Sequence, residues 1–523
     1  MNRLYKYIGI EQKRNKGRGR QGRDSKGTPP GSDDKSKSGS DDKSKSGSDD
    51  KSKSGADNKS KNPTSKKPSK IGNFGLGLLT MVKRIQMNYN EINGTYLPGY
   101  LQSPGFIGTL KPTLGYTFGS QRDIRDLAAR NGWLTRFPEF NQQYTETHSV
   151  QLDYSVNIEP FNDFKIDLVG NRIISENFAE NYNVNNVGGE LEYESLTPNN
   201  FGNFTISTML IKTAFSTSDE FQSQAFDDFE DNRLTVANRL ALERGIDISD
   251  PANLDTDGFP LGYGKTSQAV LLPSFLSAYS GQDAGQVKLT AFRDVPIPNW
   301  DIKYTGLMKF AWFKQRFKRF SLTHGYRSNY TINQFRTNLD YDADNPDDLD
   351  QNGNFKNEIL YSNINLTEMF SPLIRIDFET KSAIKLLLEL KKDRLLSLSF
   401  DNNLVTEIQG YEYKIGLGYR IKDVRIKSKL AGPNKTIISD LNFKADLALR
   451  DNKTIIRYLD LDNNQITSGQ SLWSGKLTAD YAFSKNLTGI FYFDYTFSEY
   501  AISTAFPQTT IRSGITLRYN FGN

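Results

Sequence analysis

The sequence predicts an all-β protein: an antiparallel transmembrane β-barrel portion of about fourteen strands, preceded by a disordered tail. The first observation is an alternation of apolar and polar residues, about ten positions long, that recurs through residues 71–523. The second is that 12% of the residues are aromatic although the mean hydropathy is only −0.60. The third is that the connections between these segments vary between short and long, as in outer-membrane barrels. A tilted strand of about ten residues is long enough to cross a bilayer.

Residues 511–521 show the alternating pattern most clearly. Successive side chains on a strand point to opposite faces, so every second residue shares a face. One set is Ile511, Ser513, Ile515, Leu517, Tyr519 and Phe521, and the other is Arg512, Gly514, Thr516, Arg518 and Asn520. The same alternation in residues 491–497 predicts that Phe491, Phe493 and Tyr495 face lipid, and that Tyr492, Asp494 and Thr496 face the lumen.

Residues 1–70 form a separate segment with a different composition. The octapeptide at 31–38 recurs at 39–46 and 47–54 and offers nothing apolar to bury, so the segment is predicted to be disordered. It holds 20 Lys+Arg against 9 Asp+Glu, a net charge of +11, whereas residues 71–523 hold 46 against 52, a net charge of −6. The Arg/Gly content of residues 14–23 suggests nucleic acid, but no aromatic residue accompanies it. A solvated linker is therefore favoured, and no nucleic-acid partner is expected.

The predicted elements follow in chain order. The first strand begins near Val82, a Gly/Pro-rich loop runs to Gly119, and residues 123–131 form one short helix closed by Gly132. Residues 216–298 are a long loop with two possible helices, at 226–243 and 268–279, and residues 340–358 are an acidic loop. The other predicted strands are 150–158, 164–168, 204–210, 300–304, 320–332, 361–369, 373–380, 383–391, 394–403, 409–421, 438–450, 475–484, 487–497 and 510–521.

Several signals of other protein classes are missing from the sequence. No run of about 18 apolar residues predicts a transmembrane helix. The lack of cysteine excludes a disulfide scaffold and a thiolate metal site. Residues 1–10 have no apolar core and do not read as a secretory signal. An exported protein needs one, so we expect that the true N-terminus lies elsewhere or that the chain is part of a longer one.

The sequence offers no convincing catalytic group. Its two histidines, His148 and His324, both fall on strand patterns. Ser321 and His324 are three residues apart on one strand, so their side chains point to opposite faces and cannot pair. We therefore assign no catalytic residue and no cofactor, and expect that the protein is not an enzyme.

Two acidic loops partly match a calcium-binding pattern. Asp348, Asp350, Asn352 and Gly353 fit the start of an EF-hand loop. The twelfth position should be a bidentate Glu but is Ile359, with Glu358 one residue early. Asp460, Asp462 and Asn464 have similar spacing but no glycine. Acidic, solvated loop tips are the favoured interpretation, so no metal ligand is assigned, and calcium binding by the first loop stays open.

Short motifs in a fixed order give a family resemblance. They are Asn93-Gly-Thr-Tyr-Leu-Pro-Gly-Tyr100, Phe118-Gly-Ser-Gln-Arg-Asp-Ile-Arg125, Asn131-Gly-Trp-Leu-Thr135, Asp257-Gly-Phe259, Gly262-Tyr-Gly264, Leu272-Pro-Ser-Phe-Leu-Ser-Ala-Tyr279, Phe320-Ser-Leu-Thr-His-Gly-Tyr326, Phe370-Ser-Pro-Leu-Ile374 and Gly418-Tyr-Arg420. Together they resemble the C-terminal part of the SprA/Sov family, across residues 71–523. Members of that family are the outer-membrane translocons of type IX secretion, and gliding motility also depends on them.

The resemblance implies a fold, a location and a set of partners. Family members are very long chains that form a 36-stranded barrel through which folded cargo passes. A PorV-like barrel protein covers a lateral opening, and a plug protein closes the periplasmic side. This chain would then be a C-terminal fragment or a split gene product in the cell outer membrane. Its expected partners are outer-membrane lipids, the remainder of the barrel, those two proteins and secreted cargo. The family is not enzymatic, so no catalytic residue is carried over.

Two other functions remain open from the sequence. One is a self-contained, porin-like or small-molecule-transporting barrel, which would close on itself in lipid. The other is a soluble β-rich binding or adhesion protein, which would fold in water without detergent. The family resemblance instead places the strand at 510–521 beside a first strand that this chain lacks. It therefore predicts an open sheet with two unpaired edges.

Overall fold

The computed structural model describes residues 81–102, 113–117, 119–120, 122–137, 139–427, 436–459, 464–484, 486–502 and 505–521. The predicted disorder of residues 1–70 and the acidic residues Asp460 and Asp462 lie outside these ranges. The described residues form an all-β fold with fourteen strands in one antiparallel sheet, which confirms the predicted all-β class and strand number, while the transmembrane position stays a prediction.

The strands are β1 Val82–Tyr96, β2 Tyr144–Phe161, β3 Phe164–Val187, β4 Glu190–Ser207, β5 Asn299–Tyr304, β6 Phe317–Thr337, β7 Ile359–Tyr361, β8 Asn363–Thr380, β9 Ile384–Ser399, β10 Leu404–Lys427, β11 Thr436–Tyr458, β12 Asn464–Ala482, β13 Leu487–Tyr500 and β14 Gln508–Tyr519. The α-helices are α1 Leu114–Thr117, α2 Arg125–Arg130, α3 Gln224–Glu243, α4 Gln268–Ser280 and α5 Ala311–Arg316. Short 3₁₀ turns cover Pro251–Asn253 and Gly306–Lys309. The predicted helices at 123–131, 226–243 and 268–279 are therefore confirmed as α2, α3 and α4.

The sheet runs in the order β1-β2-β3-β4-β6-β8-β9-β10-β11-β12-β13-β14, with β5 beside β3 and β6, and β7 beside β6. β1 and β14 are its two edges, and within the described residues they do not pair with each other. The expected open sheet is therefore present. An unpaired edge leaves a row of backbone N–H and C=O groups free to bond another strand.

One strand position in the sheet is interrupted by a long insertion. β4 pairs with β3 as far as Arg172↔Ile206, and β5 resumes at Val169↔Asn299 in the same antiparallel sense. The two strands therefore share one position, and the chain leaves it for residues 208–298, here called the insert. The predicted end of the strand 204–210 is wrong, because β4 ends at Ser207. Beyond it the Leu210 N–H donates to the hydroxyl of Tyr326 instead of to the backbone of a neighbouring strand. Leu210 itself is buried in the core.

Two predicted strand breaks are wrong. The supposed gap between 369 and 373 is a shift of register inside β8, between Phe370 and Ile374. β9 continues unbroken through Lys392 and Asp393, whereas the prediction ended one strand at residue 391 and began the next at 394. The chain stays extended there because the neighbouring cations Lys392 and Arg394 are buried against hydrogen-bond acceptors, as described below.

The sheet has two chemically different faces and two different ends. We call the face that carries Phe491, Phe493 and Tyr495 the apolar face, and the opposite one the polar face. The short-turn end holds the connections at 162–163 and 381–383, and the long-loop end holds those at 97–143 and 338–358. At the long-loop end the insert covers the apolar face and forms the main core. Buried residues of that core are Phe204, Phe229, Phe275, Tyr330, Leu366, Leu396 and Val405.

Candidate membrane-facing surface

The short-turn half of the apolar face carries an exposed apolar band. In β10 the exposed fraction is 50% for Tyr413, 47% for Ile415 and 46% for Leu417. Residues directly opposite each other share a face, so the register extends this surface to neighbouring strands. Members at least one-third exposed are Ile374, Tyr413, Ile415, Leu417, Tyr419, Ile421, Leu447, Trp473, Leu477, Phe491, Tyr495, Ile511, Ile515 and Leu517. A contiguous apolar surface of this kind marks a site of protein or membrane contact.

The band is nearly as tall as the apolar belt of an outer-membrane barrel. From Tyr413 to Ile421 the backbone extends about 27 Å at roughly 3.4 Å per residue. At the strand tilt of about 40° that is usual in outer-membrane barrels, this stretch would have a height of about 21 Å, against about 25 Å for their apolar belt. No described helix combines the length and the apolar character needed to span a membrane.

The polar face behind the band carries charges of both signs. Glu389 accepts from Arg375 at 3.1 Å, and Lys391 bridges Glu389 and Glu412 at 3.2 Å each. Nearer the short-turn end the face opens into a cavity of about 700 Å³. Lys385, Arg420 and Lys444 line it, and the missing side chain of Gly418 leaves room for it. The polar face is therefore a hydrophilic wall with an excess of cations at one end.

The predicted alternation in β13 is confirmed. Phe491, Phe493 and Tyr495 stand opposite Ile515, Ser513 and Ile511 of β14. Tyr492, Asp494 and Thr496 stand opposite Gly514, Arg512 and Thr510 on the other face. The two residue sets lie on different sides of one sheet, while lipid on one side and a lumen on the other stay a prediction.

A segment that sequence reasoning missed crosses the apolar face above the band. Residues 208–219, here called the strap, begin at the end of β4 and run across β6, β8, β9 and β10 to β11. The Tyr326 hydroxyl donates to Glu368 at 2.8 Å, and Arg394 reaches Glu368 at 2.9 Å and the Thr213 carbonyl at 3.1 Å. Lys392 donates to the carbonyl of Ala214. Both Arg394 and Glu368 are buried, so this ion pair fixes the middle of the strap.

A second buried ion pair fixes the far end of the strap. Arg457 and Glu407 are 0% and 1% exposed, and their side chains are 3.2 Å apart. Arg457 also donates to the Ser218 hydroxyl at 2.9 Å and to the Asp219 carbonyl at 2.8 Å. Gln409 donates to the Ser218 carbonyl at 3.2 Å. The buried charged residues of the sheet thus find hydrogen-bond partners in the strap, and these contacts hold the strap on the sheet, because a buried charge needs partners.

Three of the motifs that carry the family resemblance meet at the long-loop end. The Tyr182 hydroxyl donates to the carbonyl of Pro98 at 2.6 Å, and the Thr135 N–H donates to Gly99 at 2.9 Å. Glu180 is buried and accepts from Arg125 and, at 2.7 Å, from Tyr193. Three of the motifs therefore pack together over β3, although they are separated in sequence.

The histidine geometry does not assemble a catalytic pair. His324 Nδ1 lies 2.6 Å from the Leu373 carbonyl oxygen, between the rings of Trp300 and Phe370. Ser321 lies opposite Asp377 on the polar face. His148 lies 3.8 Å from Glu91 and 3.6 Å from Glu176 on an exposed part of the sheet.

The calcium-like loop uses its carboxylates within the protein. Asp348 accepts from Lys356 at 2.6 Å, and this hydrogen bond holds the pKa of Asp348 below its usual value. Asp350 accepts the backbone N–H groups of Asn352 at 2.8 Å and Asn354 at 2.9 Å. Within the residues the structure describes, no group of three or more His, Cys, Asp or Glu could hold a metal ion.

The fold and its surfaces define an all-β protein built on one open antiparallel sheet with one apolar and one polar face. No protein-family model and no curated protein sequence matches the chain.

Proposed function

We propose that the chain forms part of the wall of an outer-membrane translocon barrel of the SprA/Sov type, which serves type IX protein secretion and gliding motility. One observation carries the proposal: an exposed apolar band, backed by a polar face, extends across a sheet that has two open edges. Lipid contacts the band, and the polar face lines an aqueous pore wide enough for protein cargo. The chain's role is structural, so it is not an enzyme.

The open edges support a large barrel rather than a small one. Backbone groups in lipid must be hydrogen-bonded within the protein, so an open sheet edge is not stable in a bilayer. At the β1 edge Ile85 is 69% and Met87 65% exposed, and at the β14 edge Ile515 is 75% exposed. Both edges thus continue the apolar face outward. Further barrel strands would pair with them, as the family resemblance implies, and a PorV-like protein, a plug protein and cargo would be the other partners.

The two alternatives make different demands on the same surfaces. A self-contained porin-like barrel requires β1 to pair with β14, and the described structure has no such pair. A soluble binding protein requires the apolar band to be covered, although Tyr413 and Ile415 are about half exposed. The translocon accounts for both the open edges and the bare band.

Loss of export is the direct test of this function. Cells that lack the chain should retain type IX cargo in the periplasm and stop gliding, and the wild-type chain should restore both. The matched variants Phe493→Arg and Tyr492→Arg place one charge on the apolar and on the polar face. The first should fail to restore export and the second should succeed. Normal export without the chain would refute the proposal.

Cross-linking between the edges separates the translocon from the porin-like alternative. The chain has no cysteine, so Gln86→Cys in β1 and Arg512→Cys in β14 introduce the only two thiols. A short bismaleimide should not join them within one chain if other strands lie between them. An efficient intramolecular cross-link would identify a self-closed barrel and overturn the proposed translocon wall.

A further inference from the structure

The connection between β5 and β6 at the short-turn end, residues 305–316, combines aromatic and basic side chains. We call it the rim segment. It contains Phe310, Trp312 and Phe313 together with Lys309, Lys314 and Arg316, and no acidic residue. It consists of the 3₁₀ turn Gly306–Lys309 followed by α5.

Aromatic packing fixes the rim segment at the border of the apolar band. The ring centroid of Phe313 lies 5.6 Å from that of Phe317 and 5.1 Å from that of Phe320. Phe320 in turn stacks on Phe378 at 5.8 Å, on the apolar face of the sheet. The helix α5 is thereby held where the band ends, on the side of the sheet that carries the band.

Two aromatic side chains on the outer surface of the rim segment are exposed. Phe310 is 60% and Trp312 is 52% exposed. The Arg316 guanidinium carbon lies 4.3 Å from the centre of the Trp312 ring, a cation–π contact at the surface. Exposed Trp beside a cation is the side-chain combination found where a membrane protein meets the headgroup layer.

Two of the cations have no carboxylate within ion-pair distance in the described structure. Lys309 pairs with Asp163, and Lys318, just beyond the segment, donates to Glu379 at 2.9 Å. Lys314 and Arg316 make no such pair. Two positive charges next to exposed aromatic rings therefore remain available for an anion from outside the protein.

We propose that the rim segment binds the phosphate groups of anionic phospholipid in the leaflet at the short-turn end. The inference rests on the proposed function, because only a membrane-embedded band brings lipid to this position. Arg316 supplies a planar fork that matches a phosphate, and Lys314 adds a second positive charge. Trp312 and Phe310 lie at the boundary between headgroups and acyl chains, which sets the depth of the sheet in the bilayer.

Brominated lipids test this site, since bromine quenches tryptophan fluorescence at contact. The chain is isolated from the membrane of the cells that make it together with the barrel strands that pair with its two edges, and the assembly is exchanged into brominated phosphatidylcholine, with or without brominated phosphatidylglycerol. The same assembly with Trp312→Phe gives the background from tryptophans outside the chain. Replacing Trp133, Trp300 and Trp473 by Phe leaves Trp312 as the reporter. A second variant of the chain retains only Trp473, which lies in the apolar band. Quenching of Trp473 reports insertion into the bilayer with either headgroup.

The proposal predicts that Trp312 prefers phosphatidylglycerol to phosphatidylcholine. Arg316→Gln and Lys314→Gln should each reduce this preference about fivefold, and the double variant about thirtyfold, because each cation near an anionic surface adds a similar increment. Arg316→Lys should keep most of the preference. The control Lys381→Gln/Lys422→Gln removes two cations that line the cavity on the polar face, away from lipid, and should keep the preference fully.

The possible results separate the two levels of inference. Quenching at Trp473 with equal quenching of Trp312 by both lipids would overturn the phosphate site and leave the membrane band intact. Absence of quenching at Trp473 would overturn the proposed membrane function and the lipid site with it. A headgroup preference that survives in the double variant would also refute the site, because the preference would then come from other groups.

Discussion

Replacing Glu407 by Gln tests whether buried ion pairs hold the strap on the sheet. Arg457 is completely buried, and its guanidinium lies 3.2 Å from the Glu407 carboxylate. Gln has nearly the same shape, so the substitution removes the charge and one of two acceptor oxygens, the one that accepts from Gln409 at 2.8 Å. Arg457 retains its hydrogen bonds to Ser218 and Asp219 but loses its counter-ion.

The expected cost follows from that burial. Two unit charges 3.2 Å apart attract by about 5 kcal/mol at an effective dielectric constant of about 20. Neutralising one member of a buried pair typically costs about 3–5 kcal/mol, because the other charge stays buried without a counter-ion. The two remaining hydrogen bonds of Arg457 place the expectation at the lower end, about 3 kcal/mol. The population of the detached strap should then rise about 150-fold.

Hydrogen exchange of strap amides at the far end, such as the Asp219 N–H that donates to the Gln222 carbonyl at 2.9 Å, measures this opening directly. The matched control is Arg420→Gln, which breaks the ion pair with Asp440. Arg420 is 57% exposed, so the control should change protection by less than about 1 kcal/mol. The double variant Glu407→Leu/Arg457→Met removes both charges and should recover most of the protection. Equal effects of Glu407→Gln and the control, or a double variant as open as the single one, would refute this reasoning.

Three further predictions concern the band, the core and the acidic loop. Phe493→Arg should destabilise the bilayer-inserted protein by about 2–4 kcal/mol if the residue lies near the midplane, and Tyr492→Arg by much less; equal losses in a bilayer-folding titration would contradict the assignment of faces. Gly202→Ala should cost about 1–3 kcal/mol in denaturant unfolding, because the new Cβ would lie 2.0 Å from the Ser175 carbonyl oxygen. Gly475→Ala, whose Cβ would meet Leu447 at 3.4 Å, is the control and should be nearly neutral. The pKa of Asp348 is lowered by Lys356, so the stability this pair gives is present above the ordinary Asp pKa and is lost as the pH falls through the lowered one. Proteolysis of residues 338–358 should therefore accelerate in acid, and Asp348→Asn should remove that pH dependence; an unchanged acid response would refute the role of the pair.

Periodicity predicted the strands because one side of this sheet is apolar over most of its length. The alternation in β10, β13 and β14 needs no tertiary information, since each strand carries both faces in its own sequence. The insert was recognisable as a region without alternation. Within it, α4 stands out as an apolar stretch, and the structure buries its Leu271, Leu272 and Phe275. Helix ends followed from local signals such as Gly132, whose positive φ ends α2.

Errors arose where tertiary contacts reverse a local preference. Lys392 and Arg394 interrupt an apolar strand face, so the sequence pattern breaks there, yet the strap supplies their acceptors across about 180 intervening residues. The buried pair Arg457–Glu407 is invisible for the same reason, because its third partner, Ser218, belongs to the insert. A faint signal existed: a charge at an apolar-face position of a strand otherwise free of breakers indicates a covering segment.

Cysteine accessibility along β13 tests the central claim most directly, because the chain has no native cysteine. Single cysteines at Phe491, Phe493 and Tyr495 sample the apolar face, and those at Tyr492, Asp494 and Thr496 sample the polar face. In intact outer membranes, a small membrane-impermeant maleimide should label the second set and spare the first. After the protein is unfolded in denaturant the same reagent should also label the first set, because those thiols then ionise in water. Alternating labelling would support a membrane-embedded pore wall, whereas equal labelling of both sets by the impermeant reagent would show that water reaches both faces and would contradict it.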